Sequence, residues 1–456
     1  MENYDFIVIG NGSGGIVSSN AVSHGKKVAL IDEDPPGGLC MNFGCIPTKK
    51  LTYAADRIVE LQEDSKFGIE AEIKKIDFNL IMERMRKSRE ASREKIRKSL
   101  SDTKIMDFYP GKAHFVDEYI LEVNGEKIKG EKIVIATGTR PLIPPIEGLE
   151  SSDYLTNESL LELKENPESV VIIGGGYTAV EFGHFLSAMG TDVTILEMTE
   201  RILNVEEPEI SDLLNEKMSQ RMQIHTSVKV TEVSKSGKKY KITGEDKKES
   251  KKVNFTGDNI LVAAGRKSNA DLLEAASTGI ETDDNGYIKV NESMKTSVKN
   301  IWALGDATGQ HMFKHVANRE AILVAINSLH THEEKMDYSS VPHAVFGYPE
   351  IASVGLTEGQ AAKKYEKILV GKAKYTGVAR GAAMLEKDSF AKAIVNRENM
   401  EILGFHIIGS QASILIQEVI NLKALGLSFE NLWGMHIHPA LPELIINTLN
   451  NLEERY

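Results

Sequence analysis

Cysteine is almost absent from this sequence: Cys40 and Cys45 are the only two in 456 residues. That scarcity excludes the disulfide-framed secreted scaffolds, which need several bridges to make up for a small core. A long apolar run is also missing. Nothing approaches the roughly 18 residues that cross a membrane, so no membrane partner is expected. The opening MENYDFIVIG has neither the basic start nor the apolar middle of a secretory signal, and a cytoplasmic location is the expectation. Positive charge is in deficit: 54 Lys and Arg stand against 66 Asp and Glu, a net charge of -12 at pH 7. Such a chain repels phosphate overall, which argues against a general nucleic-acid partner.

What is present is ordinary for a globular protein, 41% hydrophobic and 26% charged, with length for roughly two to four domains. DFIVIGNGSGG leads apolar β-formers into a glycine cluster. The helical stretch IVSSNAVSHG follows, and KKVALID ends on Asp32. The same order, strand, glycine turn, helix, strand, recurs in SVVIIGGGYTAVEFGHFLSAMGTDVTILE, which ends on Glu197. Between them, Ile76 to Lys104 reads as a helix with a basic face, RMRKSREASREKIRKS. Its interleaved signs, such as Glu94 and Lys98, suit a solvated surface. YILEVNGEKIKGEKIVIATG reads as a β-meander turning at Asn124-Gly125, and the Lys-rich Lys235 to Lys252 as exposed hairpins. From about Val341 mixed strands and helices predict a separate C-terminal domain.

In the first unit Gly10 permits a tight turn, Gly12 lets backbone approach a pyrophosphate, and Gly15 allows helix and strand to pack closely. The helix N-terminus then faces the phosphates, and Asp32 can accept bonds from ribose hydroxyls. In the second unit Gly174, Gly176 and Ala179 take the corresponding places. Glu197 suits a free 2′-hydroxyl and would repel a 2′-phosphate, which favours NAD over NADP. Arg201, close by in sequence, could soften that preference. Two dinucleotide sites in one chain suggest a hydride relay between a flavin and a nicotinamide.

The cysteine pair lies between the two nucleotide-fold motifs. In a regular α-helix a five-residue step rises about 7.5 Å, beyond ordinary disulfide reach, and an extended chain is worse. A bond between Cys40 and Cys45 therefore needs a local bend. Gly44 permits unusual dihedrals, and Pro47 disrupts regular helical bonding just downstream. The residues alone leave three uses open: a labile redox disulfide, a zinc half-site recruiting histidines such as His436 and His438, or two inert buried thiols.

Over nearly its whole length the chain resembles the FAD-dependent pyridine nucleotide-disulfide oxidoreductases. GGLCMNFGCIPTKK (Gly37 to Lys50) is similar to the family's redox-active disulfide motif. ATGTRP (Ala136 to Pro141) is similar to its linker between FAD and NAD domains, and AAGRKSN (Ala263 to Asn269) to its return linker. VKNIWALGDAT is similar to the second FAD motif, and HIHPALPE (His436 to Glu443) to the C-terminal acid/base motif.

The resemblance implies an α/β fold: two Rossmann-like FAD/NAD-binding domains plus an α+β C-terminal dimerisation domain. The FAD-binding domain would take 1–147 and 272–340, the NAD-binding domain 148–271 and the dimerisation domain 341–456. Cys45 would be the charge-transfer thiol beside the flavin and Cys40 the interchange thiol that meets substrate. Lys49 and Glu181 would form an ion pair near flavin N5. Tyr177 would gate the nicotinamide pocket, and Asp306 would bind the flavin's ribityl-phosphate region. Thr137, Gly138, Gly305, Gly265 and Arg266 complete the cofactor-binding set, and no metal is expected. His438 would be the acid/base, oriented by Glu443, and would reach the active site of the other subunit in a homodimer.

Within the family, the acid at Glu197 fits the NAD-linked dihydrolipoamide dehydrogenases, as do HMFKHVANRE and VPHAVFGYPEIASVGLTE. GCIPTK and the run GSQASILIQEVINLKALGL before HPALPE are similar to mycothione reductases. The expected partner is a small dithiol or disulfide. Electron flow from dihydrolipoamide to NAD is the leading expectation, and NAD(P)H-driven reduction of a low-molecular-weight disulfide is the second. A flavoprotein subunit docked in a 2-oxoacid dehydrogenase complex is a reading of another class.

Overall fold

In the computed structural model, which describes residues 1–455, the second half of strand Glu2–Ile9 has no exposed face: Phe6, Ile7, Val8 and Ile9 are all buried. A strand of that kind needs cover on both sides and suits a parallel sheet. It pairs in parallel with Val28–Asp32 on one side and Glu126–Ile135 on the other. Met106–Pro110 lies beyond the former, and Ile301–Ala303 beside the latter. Helix Gly14–Ser23 crosses from the first strand to the second, and helix Lys314–Leu329 packs beside it.

These elements belong to the first of two compact units, formed by Met1–Thr48, Met82–Ile143 and Gly265–Asp337. Strand Glu126–Ile135 also enters the expected meander, antiparallel to Ile120–Val123, which pairs with Ala113–Asp117. Asn124 and Gly125 have φ of 53° and 81°, as a two-residue hairpin turn demands. The two linker motifs lie side by side, because Thr139–Pro141 pairs antiparallel with Arg266–Ser268. Arg266 Nε donates to Thr139 Oγ1 at 2.6 Å, and Arg140 forks onto Asp271 at 2.8 and 2.7 Å.

The basic stretch is helix Phe78–Ser101. One side is laced by Lys87–Glu83 at 2.6 Å and Arg97–Glu90 at 2.7 Å, as a solvated face should be. The other side departs from that expectation. Arg89 is buried, and Arg93 Nε donates to Asn42 Oδ1 at 2.6 Å, so these basic residues brace the cysteine segment.

The second unit comprises Lys49–Ile81, Pro144–Ala264 and the chain from Tyr338 onward. A four-stranded parallel sheet runs in the order Gln223–His225, Asp192–Leu196, Ser169–Ile173, Asn259–Val262. The Lys-rich hairpins form an antiparallel sheet of Val228–Ser236, Lys239–Asp246 and Lys251–Gly257. After Pro342 comes a six-stranded antiparallel sheet, against which helix Glu443–Asn450 packs. Its core gathers Tyr375, Phe405, Val419 and Leu444, all fully buried, and each such side chain contributes about 1.5–3 kcal/mol. Lys392, buried on one of these strands, is compensated by Glu207, Glu209 and Glu358 at 2.9, 3.0 and 2.6 Å.

Candidate active site

Gly10 sits at φ +103°, and a Cβ there would lie 2.1 Å from the Ala136 carbonyl oxygen, so only glycine closes the first turn. The turn delivers the next N–H to the acid ending the second strand. Asn11 N donates to Asp32 Oδ2 at 2.6 Å, and Asp34 N to Asp32 Oδ1 at 3.0 Å. Burial pushes the Asp32 carboxyl up to about 6, although both bonds favour its ionised form. Gly15, expected at the helix–strand contact, faces the Asn11 side chain instead, and a Cβ would meet Asn11 Oδ1 at 2.8 Å. The close approach falls to Gly14, where a Cβ would lie 2.9 Å from Val8 and 3.0 Å from Ala136.

Polar atoms around this turn are not used up. Asn11 Nδ2 and Thr137 Oγ1 are buried without a hydrogen-bond partner, a costly state unless a ligand meets them. Asp306 is partly buried, which raises its carboxyl, and it accepts from Thr139 Oγ1 at 3.2 Å. Backbone cleared by glycine, a helix N-terminus and spare buried polar atoms fit the pyrophosphate and hydroxyls of a dinucleotide. In the two linkers Gly138 and Gly265 take φ of +63° and +116°. Gly305 N donates at 2.6 Å to Glu320, a fully buried carboxylate. Glu320 ends the quoted HMFKHVANRE, but no pattern within that segment singles it out.

GGLCMNFGCIPTKK folds as a short helix Gly38–Asn42, a break at Phe43 and Gly44, and the long helix Cys45–Glu63. The break is the bend that the cysteine spacing requires. Pro47 does not cause it. It lies in the first turn of the long helix, where a missing N–H loses no bond. Thr48 N and Oγ1 both donate to the Gly44 carbonyl, at 3.1 and 2.6 Å. Cys40 and Cys45 are reduced here, and a side-chain hydrogen bond joins them; that bond, then burial, raises the Cys40 thiol. Gly38 seats the segment on the first turn: it has φ +67°, and a Cβ would fall 2.4 Å from Gly12 Cα. Fully buried Asn42 ties it down further, donating to the Pro35 carbonyl at 2.7 Å.

In the second turn Gly174 repeats Gly10, with φ +111° and a would-be Cβ 2.3 Å from the Ala263 carbonyl oxygen. Gly175 N donates to Glu197 Oε2 at 2.6 Å and Thr199 N to Glu197 Oε1 at 2.7 Å. Gly176 opens onto space, and Ala179 is buried in helix Tyr177–Ala188. Arg201 is committed to Asp212 at 2.7 Å. One turn into the helix, buried Glu181 accepts Lys49 Nζ on both oxygens, at 2.6 and 2.7 Å, and Phe346 N at 3.2 Å. The Tyr177 ring lies 6.0 Å from that of His343, whose Nε2 bonds Glu206 at 2.6 Å. Burial, then the Glu206 charge, pushes the Tyr177 hydroxyl up. Neither His343 nor Glu206 is part of a turn or cysteine motif, so sequence reasoning missed both.

At the C-terminal motif His438 Nδ1 bonds Glu443 Oε1 at 2.8 Å, and Glu443 Oε2 accepts Ala440 N at 3.0 Å. The His438 bond and the Ala440 N–H hold the Glu443 carboxyl below its usual range. An imidazole donating through Nδ1 keeps Nε2 able to take a proton. His436 bonds locally, with Nδ1 3.2 Å from the Gly434 carbonyl and Nε2 3.6 Å from Glu418.

Residues 4–321 match the family model for pyridine nucleotide-disulphide oxidoreductases, and residues 341–448 match the model for that family's dimerisation domain. The chain is 35% identical to mycothione reductase of Mycobacterium tuberculosis, over 99% of this chain and 100% of that protein. It is 32% identical to dihydrolipoyl dehydrogenase of Chlamydia trachomatis, over 97% of this chain and 95% of that protein. Among solved structures it is similar to the HOCl-induced flavoprotein disulfide reductase RclA from Escherichia coli, as its Cu(II) complex. The TM-score is 0.88 at 28% identity, covering 99% of each chain. Among the described residues no helix is long and apolar enough to cross a membrane. The chain belongs to the pyridine nucleotide-disulphide oxidoreductases, FAD-dependent enzymes that work with a nicotinamide nucleotide, and it carries their dimerisation domain.

Proposed function

We propose that this chain is an NAD-linked dihydrolipoyl dehydrogenase, moving two electrons from a small dithiol through Cys40 and Cys45 to NAD+. The observation that carries the reading is the Glu197 carboxylate, fixed by Gly175 N and Thr199 N while Arg201 is turned to Asp212. A ribose 2′-hydroxyl can donate to that carboxylate, whereas a 2′-phosphate would meet its charge. The 32% identity to a dihydrolipoyl dehydrogenase supports the same branch.

In the proposed cycle a substrate thiolate attacks the Cys40–Cys45 disulfide at Cys40, and the Cys45 sulfur leaves as a thiolate. The second substrate sulfur displaces Cys40 and closes the substrate's own disulfide. His438 takes up a proton from the substrate thiols, with Glu443 stabilising the imidazolium. FAD, for which Gly10, Gly12, Asp32, Thr137 and Asp306 are the proposed holders, supplies the two-electron relay to the nicotinamide. Lys49, Glu181 and Tyr177 keep the roles that the resemblance gives them. The division into FAD, NAD and dimerisation domains at 147, 271 and 340 is proposed with them, as is a homodimer in which His438 serves the partner's dithiol.

A second reading, NAD(P)H-driven reduction of a low-molecular-weight disulfide, is favoured by the full-length match to a mycothione reductase. Steady-state kinetics with NADH and NADPH against lipoamide, glutathione disulfide and mycothiol disulfide separate the two. The first reading expects the highest kcat/KM for NADH with lipoamide. Negligible lipoamide turnover beside another disulfide overturns it.

A further inference from the structure

Lys314 opens helix Lys314–Leu329 in the first unit, and neither the glycine turns nor the proposed cycle gives it a task. Its Nζ donates to Ser13 Oγ at 2.9 Å, and Ser13 Oγ donates in turn to Asn318 Oδ1 at 3.0 Å. Ser13 belongs to the first glycine turn, so the ammonium lies at the wall of the dinucleotide cradle. Among the described residues no carboxylate lies within ion-pair distance of it. A partly buried ammonium bonded only to a hydroxyl is under-compensated and needs an anion nearby.

The cysteine segment is seated on that same turn, since a Cβ on Gly38 would lie 2.4 Å from the Cα of Gly12, the residue before Ser13. Cys40, Cys45 and Asp306 are the groups able to bear negative charge that face the ammonium there. Burial lowers the Lys314 ammonium, and those three oppose the shift. Asp306 already answers to Arg266 and Thr139. The cysteine pair is the member whose charge changes. Two electrons and one proton break the S–S bond and leave one thiol and one thiolate.

We infer that Lys314 is the internal counter-cation of the cysteine pair, held at Ser13 so that its charge compensates the thiolate formed on reduction. The inference rests on the proposed reading of Cys40 and Cys45 as the redox pair. The lysine would then lower the free energy of the reduced, ionised state without touching substrate. On the thiol pair it would act together with His438 where that residue serves as the base.

The test reduces the holoenzyme anaerobically with NADH and follows iodoacetamide alkylation against pH. Lys314→Gln keeps a donor for Ser13 but removes the charge. It is expected to raise the apparent thiol pKa by about one unit and slow alkylation at neutral pH by about three- to tenfold. Lys314→Arg should stay within about twofold of the parent. The same profiles on dithiothreitol-reduced apoprotein free the result from FAD loading. Superimposable profiles for Lys314→Gln and the parent overturn the inference. So does weakened FAD binding with an unshifted profile, which would make Lys314 a phosphate anchor. If NADH frees no thiols in the parent, the redox reading fails and this inference falls with it. Freed thiols with an unshifted Lys314→Gln profile sink the inference alone.

Discussion

The two glycine turns share a backbone and differ in what surrounds it. Each places a glycine at φ above +100° against a carbonyl, and each directs the next N–H onto the acid ending the second strand, at 2.6 Å in both. The first turn is built over. Gly38 of the cysteine segment presses on Gly12, and Lys314 bonds Ser13. The second turn is bare at Gly176, where a Cβ would meet nothing within 4 Å. A dinucleotide in the first turn would be enclosed by the cysteine segment and Lys314, which suits permanent residence. One in the second has an uncovered floor and suits exchange. On the proposed reading the same motif would serve a prosthetic group and a co-substrate, with the difference lying in the neighbours rather than in the motif.

The sharpest way to break this comparison is to add one methyl group to each floor. Gly38→Ala forces a Cβ toward Gly12 Cα at a positive φ, and should lift the cysteine segment off the turn. FAD content, read by absorbance after purification, should fall, and disulfide turnover should drop by about 100-fold or more, as displacements of about 1 Å can cause. Gly176→Ala should leave FAD content unchanged and raise the KM for NADH by about tenfold, roughly 1.4 kcal/mol. Equal effects of the two substitutions on FAD content would erase the distinction drawn above.

The acid positions offer a finer cut. Glu197→Ser removes the carboxylate and keeps a short hydroxyl acceptor beside Gly175 N and Thr199 N. The kcat/KM ratio of NADH to NADPH should fall by about 10- to 100-fold, mostly through a lower KM for NADPH, because one charge repulsion is removed. Lipoamide KM should not move. A ratio within about twofold of the parent would place nucleotide choice elsewhere, with the Arg201–Asp212 pair the next to examine.

Much of this was legible in the sequence because it is local. Gly10, Gly174, Asp32 and Glu197 sit within single strand–turn–helix–strand units, where spacing alone dictates geometry. Asn124-Gly125 is a turn signal complete in two residues. His438 and Glu443 lie five positions apart and meet as their motif implies. What stayed hidden crosses the chain. Lys314 reaches Ser13 from 301 positions away, and Arg93 reaches Asn42 from 51. Periodicity cannot report such pairs. It marks the Phe78–Ser101 helix as basic and solvated, and misses that Arg89 and Arg93 turn inward. The roles read for Pro47 and Gly15 failed for a related reason. A residue type announces what it permits, while its place within the turn decides what it does.

A last test reads the acid of the first turn by its titration. The Asp32 carboxyl is raised to about 6 by burial, against about 4 in an unfolded chain. The folded apoprotein therefore binds this proton more tightly than the unfolded chain does, and Asp32 costs stability as pH rises from about 4 to about 6. Above that range the cost is constant, about 2–3 kcal/mol at most. Asp32→Asn carries no such proton. Denaturant melts of the apoprotein should show the parent losing stability relative to Asp32→Asn across that window, then running parallel to it at higher pH. Bound FAD should shrink the gap, since ribose hydroxyls donating to Asp32 would favour its ionised form. An apoprotein difference that is flat with pH would mean Asp32 titrates normally, and the first turn would then hold its acid no differently from an exposed carboxylate.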